Sequence, residues 1–180
     1  DAMAALKSAQ GATEEKRAEQ LVAANKADLG LAVLPPQIDG VEIMSLPALF
    51  VVAVVPEKHR LAKYDVIRPK DLDGEAMLMV NEYSLMQQRI LKSFETAGII
   101  PDVIFDSSYS GSICGLVAKG VGVSVLDPVT ARAYDGKGIV RVAFEPQVPY
   151  ELRLIRAANR PASAHVRAFA EALRKTLGEN

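Results

Sequence analysis

Ser107, Ser108, Ser110 and Ser112, with Tyr109 and Gly111 among them, crowd hydroxyls and a glycine into the segment SSYSGS, just ahead of a short apolar helical pattern. Hydroxyl oxygens accept from the free N–H groups of a helix's first turn, so one reading is a helix N-cap beside a tight turn. The other reading uses the same place for a ligand. The first turn of a helix carries unpaired N–H groups and a partial charge of about +0.5, which suits a carboxylate. Ser108 and Ser110 would add hydroxyl donors, Tyr109 would flank an aliphatic stem, and Gly111 would let the ligand approach the backbone.

Two further loops have polar side chains at strand ends. In VNEYS, Asn81 and Ser84 either cap the next helix or face a ligand, and Glu82 either is solvated or accepts from an ammonium or guanidinium group. Asp127, before Pro128, caps a short helix or faces the same site. Catalysis is not expected. His59 lies in a polar excursion, His165 in the opening of the last helix, and neither neighbours a nucleophile motif; no G-x-S-x-G occurs. Cys114 has no partner at zinc spacing, so no metal is expected. The Gly-Val-Gly of KGVGVSVL leads into a strand rather than from strand to helix, so it is not a dinucleotide fingerprint, and no cofactor is expected.

Strands alternating with helices must position these loops. VEIMSL, LFVVAVVP, AMLMV, DVIFDS, VSVL, IVRVAF and YELRLIRA read as strands, as does DLGLAV. LFVVAVVP is apolar on both faces, as in a buried central strand. EKHRLAKYDVIRPKDLDG reads as a surface excursion. Thr13 is a candidate N-cap for a helix bearing Leu21 and Val22 and ending at Asn25 or Lys26. Ser84 opens a helix with Leu85, Met86, Ile90 and Phe94, closed by Gly98. Residues 112–119 read as a helix ended by Gly120. A last helix from Ser163 carries Val166, Phe169, Ala170, Leu173 and Leu177 on one stripe. The alternation predicts open, largely parallel sheets covered by helices, with the three loops converging on one carboxyl edge.

Of the 180 residues, 49% are hydrophobic and 24% charged, and the net charge is −1. That is ordinary globular composition for one domain or two small lobes, and too little positive charge to neutralise many phosphates. No apolar run approaches the roughly 18 residues needed to cross a bilayer, so no membrane partner is expected. A single cysteine fits a reducing compartment. The sequence opens on Asp1 rather than Met and is expected to be part of a longer or processed chain.

ADLGLAV, VVAVVPEKHRLA, IRPKDLDGE, LVAKGVGVSVLDP and RLIRAANRPASAHVRAFAEAL stand in the order and spacing of the effector-binding domain of LysR-type transcriptional regulators. Arg60 replaces the proline usual in that family's His-Pro-Leu-Ala. The stretch from Ser112 onward is most similar to the lysine-biosynthesis and opine-responsive branch. The resemblance implies an α/β fold of two Rossmann-like lobes like a type 2 periplasmic binding protein, crossed twice by the chain. Lobe one would be residues 13–55 and 150–180 and lobe two 56–149, with crossings near Val55-Pro56 and Pro146 to Tyr150. Residues 1–12 are unassigned, a possible linker remnant; the family's first strand-helix-strand and winged helix-turn-helix would precede Thr13. The resemblance further implies a cytoplasmic regulator whose small-molecule effector, an amino acid or derivative such as an opine, binds between the lobes. It implies a homodimer or homotetramer reaching DNA only through the winged helix-turn-helix. The different-class alternative is a periplasmic solute-binding protein, which would stay monomeric.

Overall fold

The helix predicted after Thr13 forms as α1 (Glu14–Ala23). Thr13 itself lies outside the residues that the computed structural model describes, which are 14–33, 39–44, 46–81 and 84–178. Asn25 turns the chain out of α1 at a φ of 56°, and the Lys26 N–H returns to the Leu21 carbonyl at 2.8 Å. Strands β1 (Gly30–Val33) and β2 (Val41–Met44) follow. The apolar run at 49–56 divides at Val51 into β3 (Leu49–Phe50) and β4 (Val52–Pro56). A 3-10 turn (Arg60–Lys63), β5 (Val66–Ile67), a second 3-10 turn (Pro69–Leu72) and β6 (Ala76–Val80) come next. The chain then alternates through α2 (Leu85–Thr96), β7 (Asp102–Ser107), α3 (Ser110–Ala118), β8 (Ser124–Leu126) and α4 (Pro128–Ala133). It ends with β9 (Ile139–Phe144), β10 (Pro149–Tyr150), β11 (Leu152–Ala157) and α5 (Ala164–Gly178).

These elements pack as two units. Unit 1 runs up to Ala48 and resumes at Glu151; unit 2 is Leu49–Tyr150. Residues 49–55, which the resemblance assigns to lobe one, pack in unit 2, because β4 is hydrogen-bonded between β8 and β9.

In unit 1, β11 runs antiparallel between β1 and β2, with Gly30 opposite Ile155 and Val41 opposite Ala157. Helix α1 lays Val22 on Ile155 and Ala157 as a small core of its own. Leu21, predicted on the same stripe as Val22, is exposed. Arg156 ties β11 to β2 through an ion pair with Glu42. Ser163 caps α5 by accepting from the Val166 N–H at 3.2 Å. Val166, Ala170 and Leu177 are buried, at i, i+4 and i+11. Phe169, predicted on that stripe, is instead 53% exposed.

In unit 2, the order β8-β4-β9-β5 forms one sheet and β6-β7 a pair. The two are joined where Met77 bridges Val123 in parallel. There the Leu78 N–H donates to the Val123 carbonyl at 2.8 Å and the Val123 N–H to the Ala76 carbonyl at 2.9 Å. Helix α2 buries Met86, Ile90 and Phe94 at four-residue spacing, and Phe94 stacks on Phe144 with ring centroids 6.3 Å apart. The Gly98 N–H and Ile99 N–H close α2 on the carbonyls of Glu95 and Phe94, with Gly98 at φ 71°. This is the left-handed stop that the sequence predicts.

Two expectations are corrected. The sheets are not largely parallel: all described pairs of unit 1 are antiparallel, and β4 is antiparallel to both neighbours. Parallel pairing requires a crossover; among the described residues it occurs in β6-α2-β7-α3-β8, where a helix follows each strand, and in β5-β9. Residues 57–74 are more than a surface excursion, for Leu61, Ile67 and Leu72 insert fully into the unit 2 core.

The Gly-Val-Gly motif has two steric roles. Gly120 stops α3 at φ 76°. A Cβ on Gly122 would stand 2.3 Å from the Ala76 carbonyl oxygen, inside backbone that has nowhere to move. Gly122→Ala is therefore expected to destabilise by about 3 kcal/mol in urea unfolding. Gly115→Ala, in a helix with nothing within 4 Å of the new methyl, is expected to be neutral or to stabilise by up to about 1 kcal/mol.

Candidate functional site

Strands β7, β6 and β8 lie side by side in parallel, so their carboxyl ends share one edge of unit 2. The three polar loops predicted to converge there do so. The first two are tied directly: the Asn81 N–H donates to the Ser107 carbonyl at 3.0 Å. The Asn81 carbonyl in turn accepts from the Ser84 N–H at 3.1 Å. Glu82 lies outside the described residues.

Two of the residues open to either role cap a helix. Ser84 Oγ accepts from the Gln87 N–H at 3.0 Å and caps α2. Asp127 is buried, and its Oδ1 accepts from the Thr130 N–H at 2.7 Å to cap α4.

Helix α3 is different. It begins at Ser110, two residues earlier than the predicted Ser112, because Tyr109 in extended conformation takes the cap position. Tyr109 makes no side-chain cap bond. The Ser107 Oγ instead accepts from the Tyr109 N–H at 3.1 Å, closing a turn ahead of the helix. The Ser112 N–H folds back on the Tyr109 carbonyl at 3.0 Å. The N–H groups of Ser110 and Gly111 precede the helical ladder, as first-turn donors do. Ser108 is exposed, Ser110 and Gly111 are half-buried, and Tyr109 is 67% exposed with its ring in solvent. The serine-rich loop is thus not a side-chain cap for α3. It leaves hydroxyls, backbone donors and one aromatic face together at an edge.

Two nearby residues, Tyr134 and Gln87, were missed in the sequence. Tyr134, after α4, brings its hydroxyl 3.3 Å from where a Cβ on Gly111 would stand. Gln87 is buried, donates from Nε2 to the Met79 sulfur at 3.1 Å, and leaves Oε1 without a partner among the described residues. Neither Tyr134 nor Gln87 carries a motif signal, since each acts through a neighbour outside its own turn of chain. Cys114, read from the sequence only as lacking a zinc partner, lies on the buried face of α3; burial first, and then the Asp127 carboxylate, push its thiol up to about 11. Among the described residues no group of His, Cys, Asp and Glu is arranged to hold a metal ion, and no helix is long and apolar enough to cross a membrane.

These contacts separate stability from binding. Ser84→Ala and Asp127→Ala are each expected to cost about 1 kcal/mol in chemical denaturation, as lost caps do, whereas Ser108→Ala and Ser110→Ala are expected to stay within about 0.5 kcal/mol of the parent. The Cys114 thiol has a folded pKa above its unfolded one, so it contributes stability that is complete below about 9 and is lost as pH rises towards about 11. Unfolding midpoints measured across that alkaline range are expected to fall less in Cys114→Val than in the parent.

The family model of the LysR substrate binding domain matches residues 12–178. Transcriptional activator protein LysR of Escherichia coli (strain K12) is 33% identical over 159 residues, covering 88% of this chain and 51% of that protein. The octopine catabolism/uptake operon regulatory protein OccR of Rhizobium meliloti is 29% identical over 153 residues, covering 84% of this chain and 50% of that one. Among solved structures, HinK, a LysR family transcriptional regulator from Pseudomonas aeruginosa, superposes with a TM-score of 0.76 at 24% identity, covering 93% of this chain and 58% of that one. The last likeness bears on the fold alone. The chain spans about half the length of the curated relatives it matches. These relatives are named as regulators of transcription or of an operon, not as enzymes. With nearly its whole length under the family model, the chain belongs to the LysR substrate-binding domain family.

Proposed function

We propose that this chain is the effector-binding and self-associating domain of a cytoplasmic LysR-type transcriptional regulator. Its effector is an amino acid or an amino-acid derivative such as an opine. The observation that carries the reading is the first turn of α3, which no side chain caps and in which the Ser110 and Gly111 N–H groups precede the helical ladder. The effector carboxylate sits there, its stem lies along Tyr109, and Asn81 and Glu82 on the adjoining loop receive its amino or guanidinium end. Ser84 and Asp127 hold the neighbouring helices in place. The octopine-related name of one relative supports the ligand class. In the whole protein, DNA is reached through a winged helix-turn-helix domain. The ligand biases the assembled regulator only by its differential affinity for the states it distinguishes.

Self-association as a homodimer or homotetramer has its own support. Strand β7 pairs on one side with β6, yet Val103, Ile104 and Phe105 are all exposed, and Ile100 just before them is 90% exposed. An apolar edge that pairs with no second strand among the described residues requires cover. A second copy is the proposed cover.

Calorimetry with octopine and with amino acids tests the site. Ser110→Ala is expected to weaken a carboxylate ligand roughly ten- to hundredfold, the loss of about 1.5–3 kcal/mol for a hydrogen bond to a charged group. Unchanged affinity in both Ser108→Ala and Ser110→Ala would remove the loop from the site. Sedimentation tests the edge: the parent is expected to be dimeric or larger at micromolar concentration and Ile104→Lys to be monomeric, and a monomeric parent would count against self-association.

A further inference from the structure

A groove of about 480 Å³ opens on unit 2 between the end of α2, the turn at Pro69–Leu72 and the loop after β9. None of its lining residues belongs to the three loops described above. By volume it lies in the range of small-molecule sites, which are mostly apolar with a few placed polar groups.

Its chemistry is less polar than its residue types suggest. Ser93 and Thr96 line it, but each turns its hydroxyl onto the helix itself. Ser93 Oγ donates to the Ile90 carbonyl at 2.6 Å and Thr96 Oγ1 to the Lys92 carbonyl at 2.8 Å. Their carbon atoms therefore face the groove, together with Pro69, Ala97 and Pro146. Arg68 and Glu145 neutralise each other at 2.6 Å. That leaves Lys70 and Gln147. Among the described residues neither makes a side-chain hydrogen bond or an ion pair. The groove thus combines an apolar floor with one uncompensated ammonium and one amide.

We propose that this groove is a second small-molecule site, taking an amphipathic carboxylate: a compact apolar body on the floor, with its carboxylate at Lys70 and Gln147. The site stands apart from the effector loops. Ser84 opens α2 at those loops and Thr96 closes it at the groove, about 18 Å away at 1.5 Å per residue. One rigid helix therefore has a ligand-facing region at each end. The proposal does not depend on the effector reading.

Amide chemical-shift titration of the whole chain tests it, with sodium phenylacetate as the amphipathic carboxylate, its neutral amide phenylacetamide, and acetate as the charge without the body. Phenylacetate at millimolar concentration is expected to give saturable shifts at Lys70, Ser93, Thr96, Ala97 and Gln147. Phenylacetamide and acetate are each expected to bind more weakly. Lys70→Gln is expected to weaken phenylacetate about two- to fivefold, as for one exposed ion pair, and to leave phenylacetamide unchanged. Ala97→Phe, which fills the floor, is expected to abolish the shifts in a chain whose remaining spectrum is unaltered. The proposal is overturned by absence of saturation, by equal binding of phenylacetate and phenylacetamide, or by phenylacetate shifts confined to residues 107–113, which would report the effector loop instead.

Discussion

The missing side chain of Gly122 lets two halves of a sheet meet. With the Ala76 oxygen 2.3 Å from where a Cβ would stand, only glycine lets residue 123 form its pair of backbone hydrogen bonds across to β6. Ser124 Oγ adds a third bond to the Leu78 carbonyl at 2.6 Å, fully buried. This seam joins β6-β7 to β8-β4-β9-β5 and sets the register of β6 against β8. The positions of Asn81, Ser107 and Asp127 at one edge follow from that register. Without the seam the three loops would still follow strands, but nothing would bring the third beside the other two.

A division of labour then appears among three helices that start at this edge or beside it. Helices α2 and α4 are each closed by a side chain immediately before them, Ser84 and Asp127. Helix α3 is not, although the sequence before it is the richest in hydroxyls. Stability alone would favour a serine or aspartate oxygen on the first-turn N–H groups of α3. Tyr109 stands at that position instead, with most of its ring in water. A cap side chain would compete with any anion for the same donors. The departure from good capping is thus where local stability is subordinated to something else, as binding sites commonly require.

Much of this was legible in the sequence, for definable reasons. Helix α2 could be read at both ends because Ser84, Gly98 and the spacing of Met86, Ile90 and Phe94 are local signals. The shared edge was legible because strand-helix-strand crossovers enforce parallel order from β6 to β8. Strand direction elsewhere was not legible: β4 and β11 enter their sheets without a helical crossover, and no local residue type records that. The exposure of Phe169 and the burial of Leu61, Ile67 and Leu72 were misjudged because burial depends on what lies opposite, which periodicity does not specify. At the shared edge, the convergence of the loops was legible and their internal contacts were not. Whether Ser108 or Tyr109 takes the cap position is decided by one extended residue, and the approach of Tyr134 to Gly111 spans 23 positions of chain.

The same structure bears on how a ligand at this edge could act. Unit 2 has a continuous core from Val51 to Val148, into which β6, α2, α3 and β8 all contribute. The Asn81–Ser107 bond and the buried Asp127 fix the loop bases to that core. A ligand arriving at α3 therefore meets donors already in place and loses little affinity to ordering them. Gln87 is the exception within this rigid frame. Its buried Oε1 has no partner among the described residues, and a buried acceptor left unmade costs about 1–3 kcal/mol. It stands in the first turn of α2, which Ser84 caps. A donor brought to Oε1 would recover that cost, so the first turn of α2 holds a polar group that a change at this edge could satisfy.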